Sequence, residues 1–360
     1  MKHTNLLRTR HFLPFLLGCF CLAASAQPDP AFCPCFSDTS RTQSLRVCFY
    51  NVENFFHPER DSTKNDAEFT PAGAYHWTPY RYYAKANQIA KVILAMGGWE
   101  PPEVVGLAEV ENEQVLKTLL YQTPLKAYNY RYVHYESPDP RGIDVALLYR
   151  PDRFRVVHAE AIPVHFIHLH NAHTRDILYV QGIAKGSEDT LHLFVNHFTS
   201  RYGGYKATIS KRTFLATLLR SRMEAIRHKQ PEACVLAMGD FNDTPEDSSM
   251  RDYLHAVLDT AEADSASWMN LMYPYVGKNG VGTHKFQRKW SVLDQFVVNP
   301  RMLHGQASYR VAGPVCIFAM PFLLTDDEKY LGNKPFRTFV GRKYQGGFSD
   351  HLPIVIDLEY

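Results

Sequence analysis

The stretch Cys234-Val235-Leu236-Ala237-Met238-Gly239-Asp240-Phe241-Asn242 decides how this chain folds. Its first five residues are apolar and predict a short buried strand that ends near Gly239. Asp240 and Asn242 follow directly, and groups that bind ligands in open α/β sheets collect just outside the ends of strands. The stretch therefore predicts a buried strand with a carboxylate and an amide at its exit.

Polar residues also stand at the ends of other predicted strands. Apolar runs predict strands at residues 45–50, 104–107, 145–149, 177–183, 191–195, 292–298 and 353–358. The polar residues near the ends of these runs are Asn51, Glu109, His197, Asp294, Asp350 and His351. We expect these side chains to meet Asp240 in one assembled site.

Helical periodicity separates several of the predicted strands. Residues 81–96 carry apolar side chains with a helical period, and a longer helix is predicted over residues 205–228. This mixture of strands and helices indicates an α/β fold. No linker-like change of composition follows residue 44, so residues 44–360 are expected to form one domain.

The N-terminus has the pattern of a secretory signal. Basic residues precede an apolar run at residues 12–24, and the small residues Ala24-Ser25-Ala26 end it. The pattern predicts a signal peptide over residues 1–26, cleaved after Ala26, and a flexible leader at residues 27–43. The protein is thus expected to be secreted or periplasmic. The apolar run is too short to cross a membrane comfortably, so no transmembrane span is expected in the mature chain.

A lipid anchor is the alternative for the same segment. Leu16-Leu17-Gly18-Cys19 resembles the acylation signal of a lipoprotein, in which Cys19 would carry the lipid. The leucine at the second position and the good cleavage site after Ala26 count against this alternative.

Composition and residue types limit the chemistry. The formal net charge is +2, so any affinity for nucleic acid must come from local patches rather than from a global field. The polar groups at strand ends are carboxylates, amides and histidines, without paired Cys or His at zinc spacing. Such a set suits Mg²⁺ or Mn²⁺. Phosphoester hydrolysis needs such a cation, a group that deprotonates water and donors for the developing charge.

Six short motifs occur together in a fixed order. They are Tyr50-Asn51-Val52-Glu53-Asn54, Leu107-Ala108-Glu109-Val110, Asn196-His197-Phe198, Gly239-Asp240-Phe241-Asn242-Asp243, Leu293-Asp294-Gln295 and Gly347-Phe348-Ser349-Asp350-His351-Leu352-Pro353. Together they resemble the endonuclease/exonuclease/phosphatase (DNase I-like) superfamily, and in style its bacterial extracellular nucleases. The resemblance implies a four-layer α/β sandwich, in which two mixed β-sheets pack face to face with helices on both outer faces.

The resemblance also implies roles for the residues in these motifs. Glu109 is expected to be the principal ligand of Mg²⁺ or Mn²⁺, with Asn51 and Asp350 completing the metal or phosphate environment; a structural Ca²⁺ is an additional option. His351, paired with Asp294, would contact the phosphate.

The resemblance implies two further roles for residues 234–242. The resemblance implies that Asp240 positions or deprotonates the attacking water and that Asn242 holds the scissile phosphate. Whether Asp240 or the pair of His351 and Asp294 is the base stays open.

A second histidine, His197, resembles the one found in deoxyribonuclease and sphingomyelinase branches, where it could protonate the leaving oxygen. Its carboxylate partner is expected at Asp144, although in one register Ile143 would take that position. Arg141 and Arg201 are candidate phosphate clamps because an Arg fork matches a phosphate bidentately. The alternative for either arginine is a surface ion pair.

The substrate is the least determined feature. Residues 282–290 mix cations with aromatic side chains, which suits stacking on bases and contact with a nucleic-acid backbone. A secreted nuclease acting on DNA or RNA is therefore the preferred prediction, and no obligate protein partner is evident. The alternatives are a phospholipid (sphingomyelinase-like) or inositol-phosphate phosphoesterase and, more remotely, a catalytically dead binding module. A lipid enzyme would need an exposed apolar hairpin, for which residues 315–324 are the candidate and a buried strand the competing interpretation.

Overall fold

A computed structural model describes residue 1 and residues 43–166, 172–259, 264 and 266–360. The predicted signal peptide after its first residue, Cys19 within it, and the predicted leader up to residue 42 lie outside these residues.

Strands make up most of the described structure. In chain order they are β1 (Ser44–Phe55), β2 (Val104–Val110), β3 (Arg131–His134), β4 (Asp144–Tyr149), β5 (Phe154–Ile162), β6 (Ile177–Ala184), β7 (Leu191–His197), β8 (Cys234–Asp240), β9 (Ala256–Val257), β10 (Trp268–Asn270), β11 (His284–Phe286), β12 (Lys289–Ser291), β13 (Asp294–Val298), β14 (Arg310–Ile317), β15 (Leu324–Asp326), β16 (Asn333–Pro335), β17 (Phe339–Val340), β18 (Lys343–Tyr344) and β19 (Ile354–Glu359).

The helices are α1 (Pro79–Gly97), α2 (Glu113–Tyr121) and α3 (Tyr205–Lys229). Both α1 and α2 begin at side-chain caps, which satisfy backbone N–H groups that have no partner within the helix. Thr78 accepts a hydrogen bond from the Arg81 N–H, and Asn112 accepts from the N–H groups of Gln114 and Val115. Short helical turns lie at Ala67–Phe69, Pro124–Tyr128, Ser249–Tyr253, Tyr273–Tyr275, Pro300–Met302 and Pro321–Leu323.

Two large mixed sheets form the centre of the fold. One has the strand order β14-β19-β1-β2-β4-β3 and the other the order β5-β6-β7-β8-β13-β10-β9. Each has a parallel pair near its middle, β1 with β2 and β7 with β8. Such strands are buried on both faces and need continuous apolar runs, which is why β1 and β8 read as runs rather than as alternating patterns. Short two-stranded hairpins, β11–β12, β15–β16 and β17–β18, accompany the sheets.

The two sheets pack face to face and carry helices outside. A Cβ added at Gly106 of β2 would lie 3.0 Å from Sδ of Met238 in β8, so the sheets are in direct contact there. Helix α3 buries Leu215, Leu219 and Met223 in an apolar cluster with side chains of β7 and β8. Helices α1 and α2 bury their apolar faces in the larger core shared by the two sheets. The predicted four-layer sandwich is confirmed.

The central elements match the sequence prediction, and the edge elements were missed. Strand β5 lies at the edge of its sheet, and several of its side chains are exposed, so it lacks the apolar run that marks a buried strand. Helix α2 has only nine residues, which is short for a periodicity to be recognised. In the candidate hairpin at residues 315–324, Val315 to Phe318 are buried, so the buried-strand interpretation holds for that part.

Candidate active site

Strand register alone brings three of the predicted residues side by side. In the seven-stranded sheet, β8 pairs with β7 so that Asp240 lies opposite His197, and with β13 so that Asp240 lies opposite Asp294. The strands approach closely at Gly239, where a Cβ would lie 2.3 Å from the Asn196 carbonyl oxygen. Glycine in the Gly239-Asp240 motif is thus required by packing, and the motif's place in the sheet fixes the centre of the site.

The six-stranded sheet supplies residues from the facing side. Asn51 lies opposite Ala108 in the parallel pair β1–β2, and Glu109 follows at an irregularity in the register. Glu109 has φ of +64°, a left-handed conformation that an ordinary strand residue avoids. Such strained positions persist when their surroundings hold them and are common at functional sites. Glu109 is held: its Oε2 accepts the Asn54 N–H at 2.8 Å.

Asn51 joins the two sheets as a hydrogen-bond donor. Its Nδ2 donates to Asp240 Oδ2 at 3.1 Å and to Glu109 Oε1 at 3.3 Å, while its Oδ1 accepts the Glu53 N–H at 3.0 Å. Only the oxygen can accept from a backbone N–H, so this contact fixes the amide orientation. The Asn51 side chain thus holds two carboxylates through Nδ2, and the second lone pair of Oδ1 stays available, so metal coordination by Asn51 stays a prediction.

His351 stands between two carboxylates. Its Nδ1 hydrogen-bonds Asp294 Oδ2 at 2.7 Å, as predicted, and its Nε2 lies 3.7 Å from Asp240 Oδ2. Burial opposes a charge on the ring, but Asp294 and Asp240 outweigh it and raise the pKa of His351 well above its ordinary value. His351 is thus a cation aimed at the site.

Asp240 is buried at the centre of these contacts. Burial, and repulsion from Asp294, raise its pKa to about 7, although His351 and hydrogen bonds from the Asn242 N–H and from Asn51 act in the opposite direction. A carboxylate with a pKa near neutrality is matched to accepting a proton from water.

His197 has no carboxylate behind it. Its Nε2 lies 3.7 Å from Asp240 Oδ2 and 3.8 Å from Glu109 Oε1, but its Nδ1 is buried without a hydrogen-bond partner among the described residues. Burial, and the nearby charges of Arg175, Arg141 and His351, lower the pKa of His197 well below its ordinary value. The low pKa favours the neutral form of His197, and its expected role as proton donor to the leaving oxygen stays a prediction.

The expected pairing of Asp144 with His197 is wrong. Asp144 begins β4, and its Oδ1 accepts the N–H of Ser137 at 3.1 Å and also the Ser137 hydroxyl. Its Oδ2 lies 3.3 Å from Nε2 of a different histidine, His134. The Asp144 carboxylate therefore contacts residues at the start of the loop between β3 and β4. The order of residues along β4 could not reveal these partners.

Arg175, which the sequence analysis missed, takes the place behind His197. It is buried, donates to the backbone oxygens of His197 and Phe198 at 3.1 and 2.6 Å, and pairs with Asp139 at 2.8 Å. Asp139 also lies 3.4 Å from Nε of Arg141, whose side chain is 46% exposed. Part of the Arg141 side chain is therefore open to solvent near His197, as a phosphate clamp would require.

The second predicted clamp is engaged elsewhere. Arg201 donates to the Asn242 carbonyl oxygen and to Asp243, each at 2.7 Å, and to Asp247 at 2.5 Å. These contacts use the guanidinium to hold the loop after β8, as the ion-pair alternative predicted, and the 38% exposed side chain leaves the clamp role a prediction. Buried Arg212 pairs with Asp243 from α3 at 2.7 Å. The loop that carries Asn242 is thus anchored by two arginines.

Asn242 itself sits at the edge of the site in a left-handed conformation, with φ of +54°. Its N–H donates to Asp240 Oδ1 at 2.9 Å and its Nδ2 to the Phe198 carbonyl oxygen at 3.0 Å. The side chain is only partly buried, so its amide is accessible beside Asp240.

Asp350 belongs to an ion-pair network that sequence analysis missed. Arg337 lies 2.9 Å from Asp350 Oδ2 and 2.8 Å from Oε1 of buried Glu53. Although burial opposes it, Arg337 holds the pKa of Asp350 well below its ordinary value, with help from His351. Burial lowers the pKa of neighbouring Lys85 to about 8, and Glu53 partly offsets this. A metal at Asp350 would therefore share that carboxylate with Arg337.

The donor set fits a divalent cation. Asp240, Asp294 and His351 lie with donor atoms within 4.8 Å of one another, but protonated His351 cannot ligate a metal, so the carboxylates are the candidate ligands; Asp294 Oδ1 is buried without a hydrogen-bond partner among the described residues. Carboxylate oxygens of this kind are the ligands that Mg²⁺ and Mn²⁺ prefer. Glu109 and Asp350 add further carboxylates at the same mouth between the sheets.

A four-layer sandwich with carboxylates, histidines and an amide gathered between its sheets defines a class of phosphoester hydrolases. The chain belongs to the endonuclease/exonuclease/phosphatase family, whose model matches residues 46–360. It is therefore a phosphoric ester hydrolase, and enzymes of this family generally use divalent metals.

Solved structures share the fold at low sequence identity. The human Nocturnin catalytic domain with a bound sulfate anion is 15% identical and has a TM-score of 0.54, over 88% of this chain and 94% of that chain. A mannosyl-6-phosphatase from Bacteroides thetaiotaomicron is 16% identical, with a TM-score of 0.54 over 88% of this chain and 100% of that chain.

TDP2 from D. rerio in complex with a single-strand DNA product is 15% identical, with a TM-score of 0.51 over 88% of this chain and 99% of that chain. No curated protein matches the sequence.

Proposed function

We propose that this protein is a Mg²⁺- or Mn²⁺-dependent phosphodiester hydrolase that acts on DNA or RNA. The observation that carries the proposal is the position of Asp240. This buried carboxylate has a pKa of about 7 and lies 3.7 Å from a protonated histidine, His351. A proton acceptor and a fixed positive charge that share one site are the pair that water attack on a phosphate needs.

The protein's own groups divide the chemistry as follows. Asp240 takes the proton from the attacking water, because His351 already carries its proton between two carboxylates. His351 and the Asn242 amide donate to the phosphate oxygens that gain charge. The cation, held by Glu109 with Asp350 beside it, would polarise a phosphoryl oxygen. Neutral His197 orients the phosphate as a hydrogen-bonding group, the leaving oxygen takes its proton from solvent water, and Asp240 returns its proton to solvent.

A hairpin beside the site supports a polymeric substrate. Strand β11 meets the catalytic segment through a backbone bridge between His284 and His351, and the Thr283 hydroxyl accepts the Asp294 N–H at 3.1 Å. Phe286 at the hairpin tip is 69% exposed. An exposed aromatic side chain tied to the catalytic segment suits stacking on a base.

A cationic cavity of about 390 Å³ adjoins this hairpin and the loop after Asn242. Residues 244–246, 275–281 and 288–292 line it, including Lys278, Arg288 and Lys289 against the single carboxylate of Glu246. Within the described part of the chain, these three cations have no carboxylate within ion-pair distance. Free cations and Trp290 in one cavity suit a nucleic-acid strand that extends beyond the scissile phosphate.

The lipid alternative loses part of its support, because Val315 to Phe318 are buried, although Met320 is 38% exposed. Among the described residues, no helix is long and apolar enough to cross a membrane.

A substrate panel tests the function. Purified protein is incubated with linear and supercoiled DNA, RNA, sphingomyelin, an inositol phosphate, a sugar phosphate and an activated phosphodiester, with Mg²⁺, Mn²⁺ or EDTA. We expect metal-dependent cleavage of DNA or RNA, and a loss of about 10³-fold in Asp240→Asn. Asp152→Asn, an exposed carboxylate at the opposite end of β4, is the matched control. Hydrolysis that resists EDTA overturns the proposal; preferential release of phosphocholine or of inorganic phosphate moves it to the lipid or monoester class.

We also propose that the protein is exported through residues 1–26, either secreted or retained in the periplasm. Cys316 is disulfide-bonded, a state that persists in oxidising compartments outside the cytosol. N-terminal sequencing of the mature protein tests the proposal, since cleavage after Ala26 is expected. A mature chain that begins at Cys19 and carries lipid would establish the anchored alternative.

A further inference from the structure

A second group of metal-ligating side chains lies at the two ends of the loop between β3 and β4. His134 ends β3, Glu136 follows two residues later, and Asp144 begins β4. These three residues offer ligand atoms that lie within 4.8 Å of one another. None of them belongs to the set gathered around Asp240.

Two of these ligand atoms are buried and unsatisfied. The side chains of His134 and Asp144 are 4% and 2% exposed. His134 Nε2 and Asp144 Oδ2 lie 3.3 Å apart, yet neither has an aligned hydrogen-bond partner among the described residues. The two atoms face each other at 3.3 Å without an aligned hydrogen bond, an arrangement that a bound ion or water would complete. Ser137 holds the other oxygen of Asp144 and so keeps Oδ2 turned toward His134.

Space and charge at this place also suit a small cation. A cavity of about 10 Å³ adjoins Asp144 on the side of Tyr135, Ser137 and Asp176, although His134 and Glu136 do not line it. This is about the volume that one water-sized particle needs. Asp176 adds a third carboxylate close to the group, and its Oδ1 accepts the Val164 N–H at 3.0 Å.

We propose that His134, Glu136 and Asp144 bind a divalent transition ion of the zinc type. Two ligands about 2.05 Å from a tetrahedral ion are separated by about 3.3 Å, which matches the distance between His134 Nε2 and Asp144 Oδ2. An imidazole nitrogen with carboxylate oxygens favours zinc over the oxygen-seeking Mg²⁺ and Ca²⁺. Lys64, whose Nζ lies 3.5 Å from Glu136 Oε2, neutralises that carboxylate when the ion is absent.

The ion would close the loop that reaches the candidate active site. Residues 135–143 carry Asp139 and Arg141, and Asp139 holds Arg175 against the backbone of His197. Ligands from both ends of the loop would hold these two ends together. Three protein ligands leave the fourth position of the ion to water. The existence of the site does not depend on the substrate proposed above.

Metal stoichiometry tests the proposal. The full-length mature protein is stripped with a chelator and dialysed. It is then titrated with Zn²⁺ in excess Mg²⁺, which competes for the hard-cation site, and bound zinc is measured by mass spectrometry. His134→Gln and Asp144→Asn are compared with wild type and with His158→Gln, an exposed histidine on neighbouring β5. We expect wild type and His158→Gln to bind one zinc equivalent more than the other two variants.

Glu136→Gln keeps the test decisive if the buried substitutions disturb folding, because this side chain is 53% exposed. We expect its zinc affinity to fall by about tenfold or more, with an unchanged circular dichroism spectrum. Zinc should also raise the melting temperature of Glu109→Gln as much as that of wild type, since Glu109 belongs to the other site. Equal zinc stoichiometry and affinity in wild type and all three ligand variants overturns the proposal.

Discussion

Two histidines flank Asp240 at the same distance and differ in what stands behind them. Nε2 of His351 and Nε2 of His197 each lie 3.7 Å from Asp240 Oδ2. Behind His351 is the carboxylate of Asp294, whereas near His197 are the cations Arg175 and Arg141. The pKa of His351 is raised and that of His197 is lowered, so one ring is charged and the other neutral. The two rings are both buried, so the difference in their charge comes from the charged groups around each ring.

Exchanging each histidine for glutamine tests this comparison most strongly. His351→Gln should lower kcat/KM by about 10²–10³-fold, because it removes a positive charge aimed at the transition state. His197→Gln should cost about tenfold, the scale of one neutral hydrogen bond. Steady-state kinetics on an activated phosphodiester measures both, with His158→Gln as control. Equal losses would show that the two rings carry the same charge during catalysis.

Asp294→Asn should make the His351 ring neutral at lower pH, as the His197 ring already is. We expect a loss of about 10²-fold in kcat/KM. Since Asp294 raises the pKa of His351, its removal lowers that pKa, and the alkaline limb of the rate profile moves to lower pH. Rates measured between pH 5 and 10 report the shift, with Asp152→Asn as control. An alkaline limb that does not move would show that the rate does not depend on protonation of His351.

The acidic limb of the same profile reports Asp240. A proton acceptor must be ionised, so activity should be lost as pH falls through the Asp240 pKa of about 7. Below that pH, kcat/KM should fall about tenfold per pH unit. A cation bound nearby stabilises the carboxylate, so saturating Mg²⁺ should move this limb to lower pH. An acidic limb that stays below pH 5 at every Mg²⁺ concentration would contradict the role of Asp240.

The smallest expected effects separate the two predicted arginine clamps. Arg141→Ala should raise KM by about threefold to tenfold with little change in stability, since its side chain is half exposed beside His197. Arg201→Ala should leave KM unchanged and lower the free energy of unfolding by about 1 kcal/mol, because its partners are Asp243 and Asp247. KM values and urea denaturation midpoints measure the two effects. A raised KM in Arg201→Ala with unchanged stability would instead show that Arg201 binds the substrate.

Much of the site was visible in the sequence because it is local to strand ends. Asp240 and Asn242 follow an apolar run, and Asp294 lies near the start of another, so each could be placed without knowing its neighbours. The pairing of His351 with Asp294 came with the family resemblance and is present at 2.7 Å. The pairing of Asp144 was misjudged, and the hydrogen bonds of Asn51 and Arg201 were not foreseen, because each depends on which atom meets the side chain from another segment.

The sequence by itself determined which strands are buried, where their polar ends lie and therefore the class of chemistry, because apolar runs and strand ends are local properties of the chain. Tertiary structure alone decided the charges at the site. Arg337 reaches Glu53 across 284 residues, and Arg175 reaches the His197 backbone from the loop before β6. Electrostatic shifts depend on burial and on distances between such remote groups, and these distances exist only after the two sheets have packed together.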